Sequence, residues 1–326
     1  MAKTIHWQDA IYAYHKARSL RGAARLLDVP YSTFSDYFYR QLDGKVENKL
    51  LTRNTEPLSG STHLYIPDTQ CKPGESLEYL RCIGRYIADK QPDVIIHAGD
   101  HADMPSLSSY DKGKASAENR RFMDDIQAAI DGIDALLEPI ITLQQRQITE
   151  WWQSGAEGEF ELYRPQLVIT AGNHENRLER FANENPAFVG TISTSLLKYE
   201  DAGFIVVPFL TPITIDGISY IHYVPNPMSG KAMGGSAANI LQKVGSSFTM
   251  GHRQVLDMAT THNILTGRPK WGLIAGACYP FDEEYKGATG NNHWRGVIMK
   301  HNVKDGDYSP CVVNLDWLME KYATQG

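Results

Sequence analysis

From His63 onward the chain repeats one pattern, and that pattern leaves few folds open to it. A short apolar run ends in a cluster of polar residues, and a stretch with helical spacing follows. The runs lie at residues 63–67, 93–98, 166–170, 204–208 and 246–250. Bounded by turn formers, such short runs read as buried strands. Between them, residues 76–89 carry Leu77, Leu80, Ile83 and Ile87 at helical spacing. Residues 117–152 do the same with Ile126, Ile130, Ile133, Leu137 and Ile140. Strand and helix in alternation predict an α/β layered fold. Residues 187–199 also read as helical, an Asp216-Gly217 turn predicts a hairpin over 213–222, and a helix ending near Val244 follows the Gly-rich loop 225–235. Further strands are expected around 271–277, 294–301 and 311–316.

The polar clusters bear on function. They are Asp68-Thr69-Gln70, Gly99-Asp100-His101-Ala102-Asp103, Gly172-Asn173-His174-Glu175, His222 and Gly251-His252-Arg253-Gln254. An amide, an imidazole and a carboxylate in a row are poor choices for a core and good ones for holding a metal ion and a phosphate. In open α/β sheets the C-terminal ends of strands converge on one crevice. Oxygen and imidazole ligands in this number are enough for two divalent ions, which together can clamp a phosphate and activate a water.

The order and wording of these five segments resemble the calcineurin-like metallophosphoesterase superfamily. That family runs D-x-H, G-D-x-x-D/N, G-N-H-E/D, a lone His and G-H-x-H. The resemblance covers residues 63 to about 300, and phage-borne members with a DNA-binding head look similar. It implies a two-sheet sandwich flanked by helices and hydrolysis of a phosphoester by a metal-bridging hydroxide. Carried over position by position, Asp100 bridges both metals. Asn173, His222 and His252 complete one site, and Asp68, Gln70 and Gln254 the other. His174 faces the scissile phosphate, oriented by Asp103. Both family histidines of the Asp68 site are glutamines here. A glutamine carbonyl is a neutral oxygen ligand, so this pocket favours Mg²⁺ or Mn²⁺ over Zn²⁺. The expected cofactors are two divalent ions, Mn²⁺ first, with Mg²⁺, Zn²⁺ or Fe open. A weak or empty Asp68 site, leaving one metal, is the alternative.

Arg177, Arg253 and His101 stand beside these motifs and are candidate substrate contacts. His97, inside a strand, reads as a packed histidine. Lys231 lies in Ser229-Gly230-Lys231-Ala232-Met233-Gly234-Gly235, whose order is wrong for a phosphate-binding P-loop, and a mobile lid is expected there.

Residues 7–42 read as three short helices. Ala23 and Ala24 allow close approach, Asp28-Val29-Pro30 makes a turn, Ser32 is expected to cap the next helix, and Phe34 and Phe38 face inward. This resembles the helix-turn-helix of transposases, resolvases and small repressors, which would place Thr33, Ser35, Tyr39 and Arg40 on a DNA-reading face. Residues 1–45 carry seven Lys and Arg against four Asp, a net +3, which leaves −9 of the overall −6 for the rest. The expected organisation is a helix-turn-helix domain over 1–45, a linker over 46–62 and a metallophosphoesterase domain over 63–326. No apolar run approaches the roughly 18–20 residues that span a bilayer. The first residues lack a signal-peptide pattern, and the four cysteines form no CxxC pair. The expectation is a cytoplasmic, metal-dependent nuclease with DNA as partner, no membrane, and room for a homo-oligomer. Two alternatives stand beside it. One is a phosphatase or cyclic-nucleotide phosphodiesterase whose head oligomerises, and the other is a DNA-binding regulator with a weak metal domain.

Overall fold

The structure, a computed structural model, describes residues 5, 9, 10, 13, 14, 17, 19–37, 60–109, 113, 118–154, 162–283 and 287–323. Near the N-terminus, α1 (Leu20–Leu26) is capped by Ser19, whose Oγ accepts the Gly22 N–H at 3.1 Å. A turn with Asp28 in the left-handed region leads into α2 (Tyr31–Tyr37). Phe34 is buried against Ala10, Ala13, Ala23 and Ala24. Ser32 lies inside the first turn of α2 and does not cap it, because the helix already starts at Tyr31, where the Phe34 N–H bonds the Pro30 carbonyl at 3.0 Å. Tyr39, Arg40 and residues 46–59 of the expected linker lie outside the described residues. The first strand begins at Ser61, two residues ahead of the expected boundary.

That strand is β1 (Ser61–Ile66), followed by α3 (Glu78–Lys90), β2 (Val94–His97), α4 (Phe122–Ser154), β3 (Gln166–Thr170), α5 (Asn176–Glu184) and β4 (Ile205–Val207). Next come the hairpin β5 (Ile213–Ile215) and β6 (Ile218–Tyr220), α6 (Ala237–Val244), β7 (Phe248–Met250), β8 (Leu256–His262), β9 (Pro269–Ala275), β10 (Gly296–Lys304), β11 (Asp307–Asn314) and α7 (Leu315–Tyr322). One sheet has the order β11-β10-β1-β2-β3-β4, the other β5-β6-β7-β9-β8. β1 to β4 are parallel, which requires crossovers, and α3 and α4 are the long ones. β6, β7 and β9 are parallel in the second sheet.

Strand alternation sets the layers. Tyr65, Ile96 and Val168 point one way and meet Ile218, Tyr220 and Leu273 of the second sheet. Leu64, Ile66, Ile95 and Ile169 point the other way, against Ile83, Ile87, Ile133 and Leu136 of α3 and α4. α6 closes the far side with Ile240 and Leu241 over Phe248 and Ile274. The result is a mixed α/β sandwich of two sheets with helices outside, and β2 and β3 are buried along their whole length, as a strand covered on both faces must be. Between the sheets lies Lys300, fully buried between the rings of Tyr220 and Tyr308 and bonded to Thr249; burial pushes its ammonium well below the usual range.

Two local expectations fail and one strand was not foreseen. Residues 187–199 hold no α-helix: two 3₁₀ turns, Pro186–Phe188 and Thr194–Leu197, flank Gly190, which sits at φ 84°. β8 escaped notice because its Asp, Thr and His positions give it no apolar alternation and it forms a largely exposed sheet edge. The last strand stops at Asn314, whose side chain accepts the N–H groups of Asp316 and Trp317 and so starts α7.

Candidate metal centre

The parallel strands end at one edge of the sandwich, and the polar clusters follow those ends. Asp100, His222 and His252 each offer a ligand atom, and these atoms lie within 4.8 Å of one another. This group could hold a metal ion. Asn173 joins it, with Oδ1 2.9 Å from His222 Nε2, and Asp100 Oδ2 is 3.4 Å from the same nitrogen. His222 Nδ1 donates to the Ala98 carbonyl at 2.8 Å, which fixes the ring and aims Nε2 at the cluster.

Charge makes the same point. Burial pulls the His222 pKa down, but Asp100 and Asp68 outweigh it and lift it to about 9. In the metal-free chain a proton therefore occupies the position between His222 and its acceptors. Burial and His222 hold His252 down to about 4, so its imidazole is neutral and free to ligate. Burial opposes the charge of Asp100, yet His174 and His222 hold its carboxyl below the usual range. Asp68 is different. Its Oδ1 accepts the His252 N–H at 3.0 Å, while its Oδ2 is buried without a partner. Burial and the nearby Asp100 push this carboxyl up to about 7. A buried carboxylate oxygen with no donor is costly unless a cation serves it. The donor set fits a metal.

The backbone here is held in an unfavourable shape. Gln70, Asp100, His252 and Gln254 have φ of 46°, 47°, 66° and 54°, a region uncommon for residues with a side chain. Such conformations persist where the surroundings over-determine them. Glu175 does much of this. Its fully buried carboxylate accepts the N–H groups of Asp100 (2.8 Å), His101 (2.7 Å), Ala102 (3.0 Å) and Gly172 (2.9 Å), and the Tyr199 hydroxyl at 3.2 Å. The loops after β2 and β3 are thereby tied to one side chain. Gly172 serves close approach, not an unusual φ, since a Cβ there would strike Oδ1 and N of Asp100.

On the open side, His174 Nδ1 is 2.9 Å from Asp103 Oδ1 and 2.8 Å from the Asp103 carbonyl. Burial lowers the His174 pKa, but Asp100 and Asp103 outweigh it and raise it above the usual value. Arg177 donates through one nitrogen to the carbonyls of Asp103 (2.8 Å) and Met104 (3.1 Å), which leaves the other 3.2 Å from His174 Nε2. Gln70 is buried, with its N–H on the Asp100 carbonyl at 2.9 Å, and Gln254 is half-buried beside His252 in sequence.

Other expected contacts lie elsewhere. His101 is fully buried, with Nδ1 2.8 Å from Thr69 Oγ1 and Nε2 3.0 Å from the Ala129 carbonyl, so its ring supports the loop and cannot meet a substrate. His97 is packed below the site, 3.1 Å from Thr69 Oγ1. Arg253 reaches the Gly235 carbonyl. Thr33 is exposed on α2 and Ser35 half-buried. Glu175, grouped by sequence with Asn173 and His174 as a carboxylate for metal and phosphate, is instead spent on backbone N–H groups. Tyr223 gave no signal, though its ring lies 4.7 Å from that of His252. A cavity of about 810 Å³ between α3, α4 and the segment around Leu197 shares no residue with the site.

Known proteins resemble this chain over part of its length. It is similar to the Gene 54 protein of Mycobacterium phage L5, 29% identical over 195 residues, and to that of Mycobacterium phage D29, 26% identical over 195 residues. Each match covers 57% of this chain and spans 66% of the relative's length. No family model matches. A solved structure aligned with 78% of this chain and 99% of its own shares 13% identity at a TM-score of 0.31, which carries no argument.

Proposed function

We propose that the chain is a divalent-metal-dependent phosphoesterase of the metallophosphoesterase type, acting on phosphodiesters of DNA. The observation that carries this reading is the surroundings of His222. Its Nδ1 is committed to a carbonyl, and its Nε2 faces Asn173 Oδ1 and Asp100 Oδ2, so a cation belongs there. The partnerless Oδ2 of Asp68 supports a second cation nearby.

Asp100, Asn173, His222 and His252 would hold one ion, and Asp68, Gln70, Gln254 and the shared Asp100 the other. Two such ions, Mn²⁺ first, supply Lewis acidity toward a phosphate oxygen and lower the pKa of water. The chain's own part falls to His174. Its Nδ1 is oriented by Asp103 and its pKa is raised, so with Arg177 turned from Nε2 to a bound phosphate it would carry a proton at Nε2 to give to the leaving oxygen. Arg177, whose second nitrogen donates to His174 Nε2 here, would donate to a non-bridging phosphate oxygen instead when substrate is bound. Pre-set donors of this kind act where transition-state charge develops.

DNA as substrate is supported by the basic N-terminal segment and by the exposed Thr33 on α2. The −9 carried by the rest of the chain, the balance of the overall −6 and the +3 of residues 1–45, favours a second reading: a phosphatase or cyclic-nucleotide phosphodiesterase. Incubation with linear DNA, circular DNA, a cyclic dinucleotide and bis-p-nitrophenyl phosphate in Mn²⁺ separates the two. Cleavage of DNA is expected. Metal binding with no hydrolysis of any of them would overturn the enzyme reading.

A further inference from the structure

The segment after His222 is an ordered arm rather than a loose lid. Pro225 and Ala232 form an antiparallel bridge, the Asn226 N–H bonds the Lys231 carbonyl at 2.8 Å, and the Met233 N–H bonds the Val224 carbonyl at 2.8 Å. The tip is closed by the Gly230 N–H on the Asn226 carbonyl at 2.8 Å and the Met228 N–H on Asn226 Oδ1 at 2.9 Å. These bonds make residues 224–233 a small hairpin with a defined shape.

Tyr223 places that hairpin against the centre. Its ring centroid is 4.7 Å from that of His252 and 5.6 Å from that of His222, and its hydroxyl lies 3.4 Å from the Gly230 carbonyl. The tip is therefore curled back to within one tyrosine's length of the metal-binding histidines. Arg253, next to His252, secures the far end by donating to the Gly235 carbonyl. What the tip offers is one apolar and one cationic side chain. Met228 is 93% exposed, and Lys231 is exposed and makes no ion pair among the described residues. An unpaired ammonium on a flexible stem is a phosphate binder by point charge.

We propose that this hairpin is a subsite for the strand flanking the scissile phosphate, with Lys231 taking the neighbouring phosphate and Met228 lying against its nucleoside. The inference rests on the phosphodiester reading above and adds a preference for substrates with more than one phosphate. A substrate with a single phosphate engages the metal centre alone.

The test compares wild type, Lys231→Ala and Lys231→Arg in Mn²⁺ on a short single-stranded oligonucleotide and on bis-p-nitrophenyl phosphate. Binding of a hydrolysis-resistant phosphorothioate oligonucleotide is followed by anisotropy over a salt series. Lys231→Ala is expected to raise KM for the oligonucleotide about fivefold with kcat retained, and to lower the salt slope of binding by about 0.7. Its effect on kcat/KM for bis-p-nitrophenyl phosphate is expected to stay within about twofold, and Lys231→Arg to behave as wild type. Equal losses on both substrates, or unchanged oligonucleotide binding, would overturn the subsite. If wild type hydrolyses neither compound, the phosphoesterase reading fails by itself. Anisotropy then still decides: a weakened, less salt-dependent complex sustains the subsite, and an unaltered one removes it.

Discussion

His222 and Asn173 face each other with Nε2 and Oδ1 2.9 Å apart, while the far nitrogen of the same ring is held by the Ala98 carbonyl at 2.8 Å. An imidazole with acceptors at both nitrogens must carry a cation at one of them. In the metal-free chain that cation is a proton, and at the proposed centre it is a metal. Proton and metal therefore compete for one position.

Stability should follow that competition. The folded-state pKa values of His222, about 9, and Asp68, about 7, both lie above those of the unfolded chain. Each group binds its proton more tightly when folded, so its contribution is complete below the unfolded value and is lost as pH rises through the folded value. The Tm of the chelated chain is expected to fall between about pH 7 and pH 9; at lower pH the trend is opposed by His63, His97, His101 and His252, whose folded values burial holds below the unfolded one. Saturating Mn²⁺ should reverse the trend, because deprotonated ligands bind the ion. Thermal melts with chelator and with Mn²⁺ across this range check it, and a flat chelated profile would count against the charge arrangement.

Glu175→Gln tests the clamp behind Asp100. An amide NH₂ in place of one carboxylate oxygen would face buried N–H groups that now have an acceptor. Leaving such groups unsatisfied costs about 1–3 kcal/mol. Mn²⁺ affinity by calorimetry is expected to fall about 10- to 100-fold, the range for residues that orient ligands. A variant that melts earlier yet binds Mn²⁺ like wild type would show that Glu175 stabilises the fold without setting the centre.

Gln70→His and Gln254→His test the oxygen-rich side. Imidazole in place of a neutral oxygen shifts a site toward Zn²⁺. The double variant is expected to retain Zn²⁺ through dialysis in greater amount than wild type, with Mn²⁺ activation reduced. Metal content by mass spectrometry reads this directly. Unchanged content would mean that neither side chain touches a metal.

Much of the candidate centre was legible because it gathers polar residues from the ends of apolar runs, and such runs place their ends together in a parallel sheet. Asp68, Asp100, Asn173, His222 and His252 all announced themselves in this way. Glu175 stood out in the same cluster but for the wrong role, since the four N–H groups it accepts converge only after β2 and β3 pair. His101 misled as well: it lies within a ligand motif, but the chain turns at Asp100 and sends the next side chain inward to Thr69 and Ala129. Edge strand β8 and helix α7 were missed because an exposed strand has no apolar alternation and a single Asn314 cap decides where α7 begins.

The central claim is that Asp100 joins the metal ligands of a phosphoesterase. Its most direct test is the initial rate of DNA phosphodiester hydrolysis against Mn²⁺ concentration, for wild type and Asp100→Ala. A saturable, chelator-sensitive rate is predicted for wild type, with a loss of at least about a thousandfold in the variant. Equal rates in the two proteins, or no hydrolysis by wild type at saturating Mn²⁺, would contradict it.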